Sequence, residues 1–362
     1  MPIVQVEWLA GRSPEQKQSL VTAITDAMSS IGGSQREAVH VVLHDVPPAN
    51  WGKGGTLFEQ PQKDLPDGAG APEKDRKAEE DDATSPAGSA LSALLGAGEA
   101  MRVFDLEQPR KEGMPVFPAH RPGYSYLLHR HHEDEYRPEE SGPRTSASGV
   151  IICMEHTGTH IDALCHQADG LTLYGGVPVK GAQTGKGFTE LGVEEVPPII
   201  APGVLLDVAT SRGVESLDSG YAVTAEDLEM CRSQQDVTIH PGDVVLVRTG
   251  NARRYWADPE GYLAGPGMAA GASRWLAERQ VLAVGADNMA WDLIGVPDPD
   301  LKVMLPGHLI LLARLGIYII ENLQLEELAS ARHHRFSFFC TPLKFVGATG
   351  SPVRPLAIVP DD

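Results

Sequence analysis

Cysteine is scarce in this chain. Cys153, Cys165, Cys231 and Cys340 are its four cysteines in 362 residues, and none forms the close pairs of a thiolate zinc site. Their even number is slender support for disulfides in a long chain of cytosolic character. Cationic residues are also in deficit, with 30 Lys and Arg against 49 Asp and Glu and a formal net charge of −19. That balance argues against non-specific nucleic-acid binding and for a soluble protein. Long apolar runs are missing too. The stretch Leu309 to Ile320 is interrupted by Arg314 and is too short to span a bilayer. No signal peptide is expected ahead of Pro2. A cytoplasmic protein acting on a small molecule, with no nucleic-acid or membrane partner, is therefore expected.

One segment lacks nearly everything a core needs. From about Pro61 to Glu99 the composition shifts to Pro, Gly, Ala, Ser and mixed charge, including Glu79-Glu80-Asp81-Asp82. With almost no aromatic or β-branched residues, it cannot bury enough apolar surface to order itself, beyond a brief helical turn at Ser89 to Leu95. The expected organisation is a domain at 1–60, an acidic linker at 61–99 and a domain at 100–362, which suits the chain length. Such a tether raises the effective concentration of one site near the other.

What is present is concentrated in His156-Thr157-Gly158-Thr159-His160-Ile161-Asp162-Ala163-Leu164-Cys165-His166. Imidazole and carboxylate suit a zinc-like or manganese-like divalent ion. Thr-Gly-Thr is a poor helix interior. If the run after Gly158 is extended, His160 and Asp162 project to one side, and the glycine lets the backbone bend so that His156 joins them. Three protein ligands leave positions open, as a catalytic metal site requires. Further on, Pro306-Gly307-His308 opens an apolar stretch that ends at Glu321. A carboxylate closing that run is costly to bury unless it is paired or bound to a cation. Taken alone, Glu321 reads as an ordinary helix or strand terminus.

The first residues form a second pattern. Met1-Pro2 is followed by Ile-Val-Gln-Val and then Gly11-Arg12-Ser13-Pro14-Glu15-Gln16. Ser13 as N-cap, Pro14 at the first helical position and Gln16 at the third mark a helix start. Leu20, Ile24, Ala27 and Ile31 repeat at helical spacing and would lie against a sheet. Glu37 to Asp45, with Val39, Val41 and Leu43 alternating, predicts a strand, and Trp51 to Gly55 a turn. A β-α-β unit of about sixty residues buries little core unaided, so a homo-oligomer is expected.

The histidine motif resembles the signature of the metal-dependent cyclase/hydrolase family, which includes bacterial kynurenine formamidase and isatin hydrolase. The resemblance runs from about Met101 to Pro360. It takes in Gly203-Val-Leu-Leu-Asp207, Gly242 to Gly250, Gly285-Ala-Asp287 and the closing Gly347-Ala-Thr-Gly-Ser-Pro-Val-Arg-Pro355. It implies a swivelling β/β/α fold with a mixed or barrel-like β core, which many short Val/Ile/Leu runs separated by Gly and Pro also fit. It further implies one or two ions, Zn or Mn. His156, His160 and Asp162 would hold the first, and Asp162 would share a second with His308 and Glu321. His166 would be the general acid/base. An imidazole with an ordinary pKa of about 6.5 suits that work, and its other reading is a fourth ligand or a partner behind one. Phe117 falls where kynurenine formamidases carry a substrate-stacking tryptophan, a replacement that speaks against N-formylkynurenine as substrate.

Residues 1–60 resemble 4-oxalocrotonate tautomerase. In that family the initiator Met is removed and the N-terminal proline is the general base. Pro2 matches that position, Arg12 matches the first substrate-binding arginine, and Trp51 sits where an aromatic lines the pocket. The family's second arginine is replaced at about His40, which weakens the case for a dicarboxylate substrate.

The segment His129-Arg-His131-His132-Glu-Asp-Glu135 is expected to be a solvated loop, and His333-His334 to be surface residues ahead of a strand at Phe336 to Phe339. Cys165 is expected to line a wall. The expected chemistry is hydrolysis of an amide, cyclic amide or ester, with the cation activating water and His166 moving protons. The alternative is a metal-dependent cyclase or dehydratase acting on a polyketide-like compound, with the first domain serving oligomerisation. The complete His156/His160/Asp162/His166 set argues against a scaffold without activity.

Overall fold

The computed structural model of the chain describes residues 3–9, 13–30, 35–46, 52–53, 56–57, 100–134 and 136–361. They fall into two compact units, one of residues 1–80 with 132–145 and one of residues 81–131 with 146–362. The expected linker lies outside the described residues.

In the first unit, strands Ile3–Leu9 and His40–Val46 pair in parallel, Ile3 opposite His40 and Leu9 opposite Val46. Helix Pro14–Ser30 connects them. Its start is the predicted box: Ser13 Oγ accepts from the Gln16 N–H at 3.3 Å, and Gln16 Oε1 accepts from the Ser13 N–H at 3.0 Å. Two N–H groups that the first turn would otherwise orphan are thereby satisfied. The second strand starts later than the sequence predicts. Arg36–Ala38 forms a 3-10 turn, and only from His40 does the alternation hold, with Val41 and Leu43 half-buried between exposed Val42 and His44. No residue of helix Pro14–Ser30 is fully buried; Leu20 and Ile24 are half-covered and Ala27 is exposed. At the predicted turn, Gly52–Lys53 pairs antiparallel with Thr56–Leu57.

The second unit is built on a nine-stranded mixed sheet. In spatial order its strands are Gly350–Pro352, His160–Asp162, Tyr318–Glu321, Ala283–Ala286, Val244–Arg248, Ile199–Asp207, Arg335–Cys340, Leu356–Pro360 and Met101–Asp105. The four from Tyr318–Glu321 to Ile199–Asp207 run parallel, and the outer pairings are antiparallel. Side chains alternate across the sheet. Val204, Leu206, Val245, Val247, Val284 and Ala286 pack with Leu228, Leu276 and Leu312 on one face. Leu205, Leu246, Ala283 and Ile320 pack with Phe104, Phe336 and Phe338 on the other. Asp207 and Arg248 end neighbouring strands opposite each other and form a buried ion pair at 2.7 Å.

A separate ribbon, Ser125–Arg130 paired antiparallel with Ser148–Ile152, projects Leu127, Ile151 and Ile152 into solvent. His129 and Arg130 therefore lie in a strand rather than the predicted loop, drawn into the ladder by this apolar partner, although they remain exposed as expected. His334 is half-buried rather than on the surface, its Nδ1 2.8 Å from the Gln235 side-chain amide.

Candidate metal centre

The site begins with a bend. Gly158 has φ +68, and a Cβ there would meet the Met114 methyl at 2.7 Å and the Arg110 guanidinium at 2.8 Å. Arg110 donates to the carbonyls of Thr157 and Thr159 and is held by Glu107 at 2.8 Å. Thr159 Oγ1 donates to the Asn322 carbonyl at 2.7 Å. Beyond this bend, His160–Asp162 is a buried strand, so His160 and Asp162 share a face. On one side Glu321 stands opposite His160, and on the other Gly350 stands opposite Asp162. Any side chain at Gly350 would strike the His156 ring, whose Cε1 lies 2.7 Å from the position of a Cβ. His308 enters from the buried turn Pro306–His308, just ahead of the π-helix Leu309–Leu315.

The structure thus brings His156, His160, Asp162, His166, His308 and Glu321 together. Asp162 Oδ1 lies 2.8 Å from His156 Nδ1 and 3.4 Å from His160 Nε2. Glu321 places Oε2 3.4 Å from His160 Nε2 and Oε1 3.2 Å from His308 Nε2, while His308 Nε2 is 3.6 Å from Asp162 Oδ2. Two overlapping donor sets can each hold an ion: His156, Asp162 and His166, and His160, Asp162 and Glu321.

Outer partners aim the rings. His160 Nδ1 donates to the Gly158 carbonyl at 2.8 Å, and His308 Nδ1 donates to Asp292 at 2.7 Å. Asp292 also accepts from the N–H groups of Gly307 and His308. His156 Nε2 lies 2.8 Å from Thr349 Oγ1, whose proton goes to Glu155. Thr349 therefore accepts from His156, which leaves the Nδ1 lone pair facing a carboxylate oxygen. Two lone pairs at that distance repel unless a cation or proton lies between them. His156 Nδ1 and both Asp162 oxygens are buried and have no hydrogen bond. Orphaned acceptors of this kind are costly, and a divalent ion satisfies all three. The residues fit such an ion.

The electrostatics agree. Burial opposes ionisation of Asp162, but the surrounding His166, His156 and His160 outweigh it and hold the carboxyl well below the usual range. Burial disfavours a proton on His160 and on His308. The carboxylates of Asp162 and Glu321 at His160, and of Asp292 and Glu321 at His308, more than offset it and raise both. His166 behaves differently: burial pushes it down to about 3, so it is neutral at pH 7. Its ring centroid lies 4.1 Å from that of His156 and 6.2 Å from that of His308. Cys165 is buried, its thiol pushed up to about 12 by burial, which suits wall lining.

Phe117 is half-buried and packs on a cluster containing Met114, Tyr255, Tyr262 and Met289. Beside it lies His120, to which nothing in the sequence points. Its ring is 5.8 Å from Phe117 and 4.9 Å from His156. Burial and the neighbouring His156 lower its pKa. Glu155 and Asp292 were missed as well. Thr349 lies inside the closing motif, the one local signal for any of them. Pro2, Arg12 and Trp51 lie outside the described residues, and His40 is exposed at the start of its strand.

Comparisons with known proteins give both halves a family. Residues 104–293 match the Cyclase family model, described as "Putative cyclase", and residues 2–60 match that of the Tautomerase enzyme family. A crystal structure of a novel cyclase is 30% identical, with a TM-score of 0.64 over 75% of this chain and 91% of its own. Isatin hydrolase A from Ralstonia solanacearum shares the fold at 24% identity and a TM-score of 0.56, over 78% of this chain and all of its own. A probable tautomerase of Staphylococcus aureus is 46% identical over 55 residues, 15% of this chain and 90% of its own.

Proposed function

This chain belongs to the cyclase family and carries a tautomerase domain ahead of it, and we propose that its cyclase domain is a metal-dependent hydrolase of an amide, cyclic amide or ester. The observation that carries this reading is the buried Asp162 carboxylate without a hydrogen bond, ringed by imidazole nitrogens. Its fold is shared with an isatin hydrolase, and isatin is a cyclic amide. His156, His160 and Asp162 would hold one ion, and Asp162 with His308 and Glu321 a second; Zn and Mn both suit these donors. When bound, such an ion acidifies water and polarises a carbonyl.

The chain's own residues do the rest. Asp292, Thr349 and the Gly158 carbonyl fix the ring orientations. His166, neutral and against His156, can take a proton from attacking water and return it to the departing nitrogen or oxygen. Product analysis on isatin, formanilide and a small 1,3-diketone tests the reaction class. The ring-opened acid from isatin, or aniline and formate from formanilide, is the expected product, and condensation of the diketone without hydrolysis of the other two would support the cyclase alternative instead.

For the first domain we propose a proline-based tautomerase within a homo-oligomer. The helix without a fully buried residue and the apolar ribbon of the second unit support association. An N-terminal amine titrates near 7.7–8.0, so it can serve as a base near neutral pH. A retained Met1 or an N-terminal tag should abolish ketonisation of phenylenolpyruvate by the full chain without affecting hydrolysis. Pro2→Ala should weaken it but leave measurable rate, because a primary amine remains. No conversion by protein shown by mass spectrometry to begin at Pro2 would leave this domain as an oligomerisation module.

A further inference from the structure

The hydrolase reading assigns every imidazole of the centre except one. His156, His160 and His308 each commit one nitrogen to an outer partner and aim the other inward, and His166 shares a donor set with His156 and Asp162. His120 belongs to neither donor set, and its ring nitrogens make no hydrogen bond among the described residues. Yet it is half-buried, at the end of the short turn Pro118–His120. Its ring stands 4.9 Å from that of His156, 6.3 Å from that of His166 and 5.8 Å from that of Phe117.

The ring nitrogens of His120 are not among the buried polar atoms without a partner, so they are open to solvent and to a ligand. A structural histidine would normally pair, and the ligand rings His160 and His308 each place a nitrogen within 3.6 Å of a carboxylate oxygen of the centre. His120 does neither, and it borders the general acid/base candidate on one side and an aromatic wall on the other. That wall continues from Phe117 to Tyr124 and Trp256 in one apolar cluster. His120 thus lies beside Phe117 and beside both His156 and His166.

We infer that His120 is a substrate-binding residue, whose ring N–H hydrogen-bonds an oxygen of an acyl or carboxylate group while the flat part of the same molecule lies on Phe117. The inference rests on the hydrolase reading. Its natural ligand class is an aryl acyl compound, in which a planar ring and a hydrogen-bond-accepting oxygen lie a few ångströms apart, as in the spacing of Phe117 and His120. His120 would fix the orientation of that group, while proton transfer belongs to His166.

The test uses metal-loaded full-length protein and benzoate as the probe, with binding followed by calorimetry and metal content by mass spectrometry. His120→Phe keeps a ring but removes the donor, and His120→Gln keeps an N–H donor. The expected result is unchanged metal in both, a benzoate affinity lower by about tenfold in His120→Phe, and one within about threefold of the parent in His120→Gln. With formanilide, His120→Phe should raise KM and leave kcat within about threefold, the pattern of lost uniform binding. Metal loss from His120→Gln would make His120 a ligand and overturn the inference. Unchanged benzoate affinity in His120→Phe, no benzoate binding by the parent, or equal weakening in both variants would overturn it too. Parent protein that takes up no metal overturns the hydrolase reading itself, a result the metal analysis reports separately.

Discussion

His160→Ala is expected to strip the metal from the centre and take turnover to background, while the tautomerase domain stays folded. His160 touches both carboxylates, with Nε2 at 3.4 Å from Asp162 and 3.4 Å from Glu321. Removing it deletes one donor and leaves two buried negative charges facing each other. Loss of a partner behind a metal ligand already costs roughly 10–100-fold in metal affinity, and loss of the ligand itself should cost at least that. Metal analysis after dialysis measures this directly. Full occupancy in the variant would exclude His160 as a ligand. Phenylenolpyruvate ketonisation at the parent rate would show the damage confined to the second unit.

His166→Ala should behave in the opposite way, with metal retained and kcat lowered by roughly 10²–10⁴-fold, the range for loss of a general acid/base. Burial keeps the His166 ring neutral, and the ring lies 4.1 Å from that of His156, the position that carries its assignment to proton transfer. His166 nevertheless sits in a donor set with His156 and Asp162, which gives the experiment its force. Loss of metal along with rate would make His166 a ligand. Retained metal with lost rate assigns it to proton transfer. Measuring both on one preparation separates the roles.

The legible part of this protein is the part in which contacts are local in sequence. The capping box spans Ser13 to Gln16, and the turn at Gly158 lies within the histidine motif, so spacing and residue type were enough. Strand alternation marked Val41 and Leu43 but placed the strand's beginning too early, because Arg36–Ala38 satisfies its backbone in a 3-10 turn. His308 and Glu321 came from resemblance, since their meeting with Asp162 depends on sheet register: Glu321 faces His160 across an antiparallel pair. Phe117 was found in the same way. His120, Glu155 and Asp292 were invisible because each acts through a contact that only the folded chain creates, as Thr349 does across 193 positions to His156. The ribbon Ser125–Arg130 was hidden for a related reason, its histidine and arginine reading as solvated until their apolar partner strand is known.

The central claim is that a cation held by His156, His160, Asp162, His308 and Glu321 is required for hydrolysis. Its most direct test follows isatin or formanilide hydrolysis by the full chain as metal is removed with a chelator and then returned as Zn or Mn. Turnover should fall to background with the metal and return as one or two ions per chain are restored. Hydrolysis that continues undiminished in protein shown to be metal-free would contradict it.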